Sequence, residues 1–185
     1  MTRLWLVRHA EPAAAWGDHD DPGLSALGAR QADELAARLS DPSVHCPAVV
    51  VSSPLARARE TAAPLGTRLG QPVRVEPRVG EIPTPEGATA TRTAWLRDVL
   101  GQRWSDLAGP VCAWREQLLD ALIDAGDAIV ATHFVAINVA VGAACGDDRV
   151  QCCSPAHTSV TELAIDGPRL SIVRLGAEVP AATAR

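Results

Sequence analysis

The chain has 185 residues, of which 47% are hydrophobic and 21% charged, and it carries a formal net charge of -5 at pH 7. A chain of this size buries one substantial core without disulfides or metal, and its composition is globular rather than disordered or fibrous. The acidic balance, with no run of positive charge, gives no electrostatic footprint for nucleic acid or a membrane surface, so no partner of either kind is expected.

In chain order, the first apolar run is Leu4 to Val7 within "RLWLVRHAEP", which reads as a buried strand. It is too short for the core of a signal peptide, and no stretch of 18 apolar residues follows, so a soluble, cytoplasmic protein is expected. Residues 25–39 place Leu27, Gln31, Glu34, Leu35, Arg38 and Leu39 at spacings of three and four behind Ser25, which predicts a capped helix. A strand is predicted at Ala48 to Val51, then a helix from Pro54 to Leu69 closed by Gly70, then a short strand from Val73 to Val75.

Residues 87–125 carry Trp95, Trp104 and Trp114 with Arg92, Arg97 and Arg103; the tryptophans fit either a pocket wall or a core. This segment is expected to be a helical cap that selects substrate, with Arg92 its best candidate contact. Beyond it come a strand at Ala128 to Ala131 and an apolar helix from Phe134 to Cys145. Two further strands, Val160 to Ile165 and Leu170 to Val173, are joined through Gly167-Pro168 as an antiparallel hairpin. An Ala-rich tail at 181–184 reads as frayed.

Nearly all-apolar strands alternating with helices predict an α/β fold, a three-layer α/β/α sandwich whose mostly parallel central sheet has an antiparallel edge. One domain over 1–185 is expected. The five cysteines show no CxxC or Cys/His zinc spacing, so reduced, mostly buried thiols and no metal or other cofactor are expected.

In open α/β sheets ligands bind beyond the carboxyl ends of the strands. Arg8-His9 stands there after the first strand, Ser52-Ser53 leading to Arg57 after the second, and Thr132-His133 after "AIVA". Two arginines and two histidines without a carboxylate cluster point to a phosphoryl group, because guanidinium forks match phosphate oxygens and stay charged. A neutral imidazole can also attack phosphorus, splitting one displacement into two. The leaving oxygen then needs a proton, and Glu81 in "VGEIPTP" is the candidate donor, its pKa expected to rise beside phosphate. Glu76 and Glu86 are nearby competitors, Arg59 reads as a solvated face, and His19, His45 and His157 read as structural or surface residues. His157, just before a strand, is the one of these three that could approach the rim.

Five segments, in order, resemble the histidine phosphatase superfamily, also called the phosphoglycerate mutase-like family: "LVRHAEP", "LSALGARQA", "SSPLARARETA", "GEI" and "IVATHFVAIN". The resemblance implies a phosphoglycerate mutase-like fold, with His9 as nucleophile, Arg8, Arg57 and His133 on the phosphoryl oxygens, and Glu81 as proton donor. It departs from the family pattern at Ala10, where the usual residue is Gly, at Pro12, usually Thr or Ser, and at Ala15, where mutase-type members carry Asn. The expected function is a metal-independent phosphomonoester hydrolase working through a phosphohistidine on a small phosphorylated metabolite. The rivals are a phosphoglycerate mutase-type phosphotransferase, a protein phosphohistidine phosphatase and a non-catalytic phospho-ligand binding module.

Overall fold

The computed structural model describes residues 2–15, 19–47, 49–84 and 92–179. The predicted strand start Ala48, Glu86, residues 87–91 of the expected cap and the tail at 181–184 lie outside the described residues.

Alternation inside a continuous apolar run places the sheet between two layers. In β1 (Thr2–Arg8), Leu4 and Leu6 face one core while Trp5 and Val7 face the other, as the period of two requires. On the second face lie α1 (Ala26–Leu39) and α2 (Ala56–Leu69), which bury Leu35, Ala36, Leu39, Ala62 and Leu65 there. The first face is covered by α4 (Pro110–Ala125) and α5 (Phe134–Cys145), through Leu118, Leu122, Val135 and Ile137. Each fully buried leucine or isoleucine contributes on the order of 1.5–3 kcal/mol.

The six strands are ordered β3-β2-β4-β1-β5-β6, with β2 spanning Val49–Ser52, β3 Val73–Val75, β4 Ala128–Thr132, β5 Val160–Asp166 and β6 Arg169–Arg174. The first four run parallel, and β5 and β6 add the expected antiparallel edge. The α/β sandwich read from the pattern is the observed architecture. One boundary differs: α2 begins at Ala56, two residues after Pro54, with Leu55 in extended backbone ahead of it.

Residues 92–125 divide into two parts. The short helix α3 (Arg92–Leu100) stands over the carboxyl edge of the sheet, whereas α4 is a core helix packed against α5. Trp104 is buried, and Trp95 and Trp114 pack on the same core.

Ser25 caps α1 by accepting from the Gly28 amide at 2.9 Å. Gly28 itself is required by close approach: a Cβ there would stand 2.1 Å from the Glu11 carbonyl oxygen. That contact fixes the loop leaving β1 against α1, and with it the residues following His9.

Candidate active site

Strand register brings the predicted residues to one level. Arg8 pairs with Thr132 across β1 and β4, and Ser52 with Ala131 across β2 and β4. The next rungs continue into the loops: the His9 amide donates to the Thr132 carbonyl at 2.9 Å and the Ser53 amide to the Ala131 carbonyl at 3.0 Å. His9, Ser53 and His133 therefore leave three adjacent strands together. His9, Arg57 and His133 are all buried, and the two imidazole centroids lie 5.2 Å apart.

The His9 ring is held from both sides. Its Nδ1 lies 2.7 Å from the Ala10 carbonyl oxygen, which sets the proton on Nδ1 and the lone pair on Nε2. The Arg57 Nε–H donates to that Nε2 at 3.3 Å. Burial, chiefly, holds the His9 pKa well below the usual 6.5; the Ala10 carbonyl opposes this, and Arg57, Arg8 and His157 add to it. At neutral pH the imidazole is uncharged and nucleophilic at Nε2.

His133 caps α5, and its Nε2 lies 2.7 Å from Ser53 Oγ. Ser53 Oγ also accepts from the Leu55 amide at 3.2 Å. With the hydroxyl donating to Nε2, the ring carries its proton on Nδ1, a buried atom with no hydrogen-bond partner among the described residues. An orphaned buried donor is costly, and a phosphoryl oxygen would satisfy it. Burial, then His9, Arg57 and Arg8, keep this histidine's pKa well below the usual value.

Arg8 donates through Nη1 to the Pro155 carbonyl at 2.8 Å, and its guanidinium lies 5.2 Å from the Phe134 ring centroid. Arg57 is 3.9 Å from Asp21. Burial lowers both pKa values from the usual one, with Glu81 opposing, and both groups stay charged.

Glu81 follows the 3₁₀ turn Pro77–Val79, which Thr132 anchors by donating from its hydroxyl to the Val79 carbonyl at 2.7 Å. Buried Val79 and Ile82 flank the loop. The Glu81 carboxyl is turned inward, accepting from the Ile82 amide at 3.0 Å and the Val135 amide at 3.4 Å. One amide of the α5 N-terminus is therefore spent on Glu81 rather than left to the open pocket. The Glu81 pKa is raised above the usual 4.5 by burial, against the two amides and both arginines. The cause of this rise is burial, not the repulsion by a bound phosphate from which a rise was expected.

A cavity of about 310 Å³ has Arg8, His9, Arg57 and Glu81 at its base and Arg92, Leu96, Leu100 and Phe134 in its wall. Arg92 lies 3.8 Å from Asp20. None of the three tryptophans of the 87–125 segment lines this cavity. Among the described residues no group of His, Cys, Asp and Glu side chains could hold a metal ion. No described helix is long and apolar enough to cross a membrane.

Two residues of the segment "SSPLARARETA" have supporting roles that the sequence reading did not assign. Ser53 orients His133, as above, and Thr61 accepts from the Ala10 amide at 2.9 Å while donating to the Arg57 carbonyl at 2.6 Å. Thr61 thereby ties the loop after His9 to the helix bearing Arg57. His157 also reaches the cavity, its ring centroid 5.5 Å from that of His9.

Buried imidazoles, two arginines and a raised carboxyl at the strand ends of a mixed α/β sheet are side-chain types that suit a phosphoryl group. The chain belongs to the histidine phosphatase superfamily, branch 1, whose family model matches residues 4–178. A glucosyl-3-phosphoglycerate phosphatase of Mycolicibacterium vanbaalenii is 32% identical over 124 residues, 59% of this chain and 52% of that protein. The match thus spans about half the length of that curated relative. Among solved structures, the phosphoserine phosphatase of Entamoeba histolytica with 3-phosphoglyceric acid superimposes with a TM-score of 0.73 at 18% identity, covering 96% of this chain and 98% of the other. The mycobacterial glucosyl-3-phosphoglycerate phosphatase with VO3 gives 0.71 at 23% identity, covering 96% and 100%. These likenesses establish the phosphoglycerate mutase-like fold.

Proposed function

We propose that the protein is a metal-independent phosphomonoester hydrolase that works through a covalent phosphohistidine on His9. The observation that carries this reading is the neutral His9 Nε2, held by an Arg57 N–H at 3.3 Å in a pocket shared with Arg8 and Glu81, with the His133 ring 5.2 Å from that of His9.

When substrate enters, its phosphoryl oxygens replace Nε2 as acceptors for Arg57, with Arg8 and the His133 Nδ1–H supplying further donors. The freed Nε2 lone pair attacks phosphorus, the P–O ester bond breaks, and the bonding pair leaves with the ester oxygen. Glu81, protonated through its raised pKa, gives that oxygen its proton. The Ala10 carbonyl, on Nδ1–H, stabilises the positive charge the phosphorylated ring acquires. The Glu81 carboxylate then takes a proton from water, the resulting hydroxide attacks phosphorus, the N–P bond breaks, and neutral His9 is restored. Positioned charge supplies most of the acceleration, as is general for phosphoryl transfer.

The substrate of this reading is a small phosphorylated metabolite whose leaving group lies along Leu96, Leu100 and Phe134 with Arg92 at the rim. The matched relative is named for glucosyl-3-phosphoglycerate and a structural neighbour for phosphoserine, which supports a compact phosphomonoester. Phosphate release from a panel of phosphorylated sugars, glycerates, amino acids and nucleotides tests this. Binding of those compounds without any release would favour a non-catalytic binding module and sink the proposal.

A further inference from the structure

The turn before β5 is bound to the nucleophile strand at four points. The Thr158 amide donates to the Arg8 carbonyl at 3.0 Å, the Arg8 amide to the Ser159 carbonyl at 3.2 Å, and Arg8 Nη1 to the Pro155 carbonyl. The fourth bond comes from a side chain: His157 Nδ1 lies 2.9 Å from the His9 carbonyl oxygen. A carbonyl only accepts, so this nitrogen carries the proton and donates.

Thr158 has a φ of 54°, the only positive φ at a non-glycine among the described residues. A β-branched residue in this left-handed region is a genuine outlier, and such strain persists only where the surroundings over-determine it. Here they do: Thr158 donates from its hydroxyl to the His157 carbonyl at 2.7 Å, and Arg38 Nη2 donates to the Thr158 carbonyl at 3.1 Å. The Ser159 amide closes the turn on the Ala156 carbonyl at 3.1 Å. The strained residue turns the chain so that its neighbour, His157, reaches over to His9.

We propose that His157 is a positioning residue for the nucleophile: its Nδ1–H pins the His9 carbonyl, and with it the peptide leading to Ala10, whose own carbonyl orients the His9 ring. The two sides of that peptide are then each held by a side chain, His157 on the His9 carbonyl and Thr61 on the Ala10 amide. The Ala10 carbonyl that fixes the Nε2 lone pair hangs from this clamped unit. Losing the donor frees the His9–Ala10 peptide to rotate and swings Nε2 off the line of attack. Displacements of about 1 Å at a reacting atom cost on the order of 10² in rate. Burial, followed by the nearby Arg8 charge, holds the His157 pKa below the usual 6.5, with the His9 carbonyl and Glu11 opposing, so the ring is a neutral donor at pH 7.

This inference rests on His9 being the nucleophile, and the test separates the two. Formation of the phosphoenzyme is followed by rapid quench with labelled p-nitrophenyl phosphate, alongside inhibition by inorganic phosphate and the thermal midpoint. His157→Phe keeps a ring without the donor, His157→Ala removes both, and His157→Asn restores an N–H. The donor-less variants that fold are expected to form phosphoenzyme roughly 10- to 100-fold more slowly with inorganic phosphate affinity within about twofold of wild type, and His157→Asn to recover most of the rate. Donor-less rates within twofold of wild type, His157→Asn as slow as His157→Phe, or inorganic phosphate affinity falling in step with the rate would each overturn the proposal. Absence of label in the wild type would remove the nucleophile reading itself, and this proposal with it.

Discussion

The base and the wall of the cavity are built on different principles. The base draws Arg8-His9, Ser53, Arg57 and Thr132-His133 from the ends of adjacent parallel strands and the helix following one of them, and its two imidazoles and Arg57 are buried. The wall comes from α3 and the loop after β1, with Leu96 and Arg92 only partly buried and the Arg92 contact to Asp20 reaching an exposed partner. The difference separates chemistry from selection. A group held by sheet register has its geometry fixed by the whole core, whereas a group on a short helix above the sheet can change without disturbing the fold.

Mutations at the base should therefore destroy the reaction, and mutations at the wall should redirect it. The largest effect is expected from His9→Ala, which leaves nothing to carry the phosphoryl group; single-turnover labelling should give an acid-labile, base-stable adduct in the wild type and none in the variant. Equal labelling would move the nucleophile elsewhere.

Next comes Glu81→Gln, with a loss of roughly 10² to 10⁴ in kcat on alkyl phosphates that shrinks on nitrophenyl phosphate, whose leaving group departs without a proton. The pH profile carries the same signature. Activity needs His9 neutral and Glu81 protonated, so it should fall on the acid side through a His9 pKa well below 6.5 and on the alkaline side through a Glu81 pKa above 4.5. Only the alkaline limb should vanish in Glu81→Gln, and a profile that keeps both limbs would assign that limb to another group.

Ser53→Ala removes the hydroxyl that sets the His133 tautomer. It should weaken phosphate and vanadate inhibition by about tenfold, a little over 1 kcal/mol, as expected for one charge-assisted hydrogen bond. At the wall, Arg92→Ala should change KM severalfold in a substrate-dependent manner while kcat on nitrophenyl phosphate stays within about twofold; a uniform kcat loss would place Arg92 with the base. Dialysis against chelator should change nothing, because arginine rather than metal meets the phosphate charge; activity lost and restored by Mg²⁺ or Zn²⁺ would break the distinction at its root.

The base was also the part legible in the sequence. Continuous apolar runs ending in Arg8-His9, Ser52-Ser53 and Thr132-His133 announced both the sheet and the edge where they gather. The hairpin through Gly167-Pro168 followed from its short connection. Legibility ended where a role depends on a partner far along the chain. Thr61 reads as an ordinary helix residue until the Ala10 amide is set against it, 51 positions away. His157 reads as a loop histidine until a strained Thr158 turns it onto a carbonyl 148 positions earlier. The tryptophans of the 87–125 segment fitted wall or core equally because helical spacing does not say which layer a face meets; Trp104 went to the core.

The position of β4 between β1 and β2 has a consequence for biosynthesis. Arg8, His9 and Arg57 leave the ribosome early, yet the strand that sets them at one height, and the second histidine, come only with residues 128–133. An emerging or proteolytically clipped chain lacking β4 holds His9 and Arg57 without a common scaffold. Hydrolytic competence is thus acquired in one late step, and the appearance of turnover during translation would serve as a clock for closure of the central sheet.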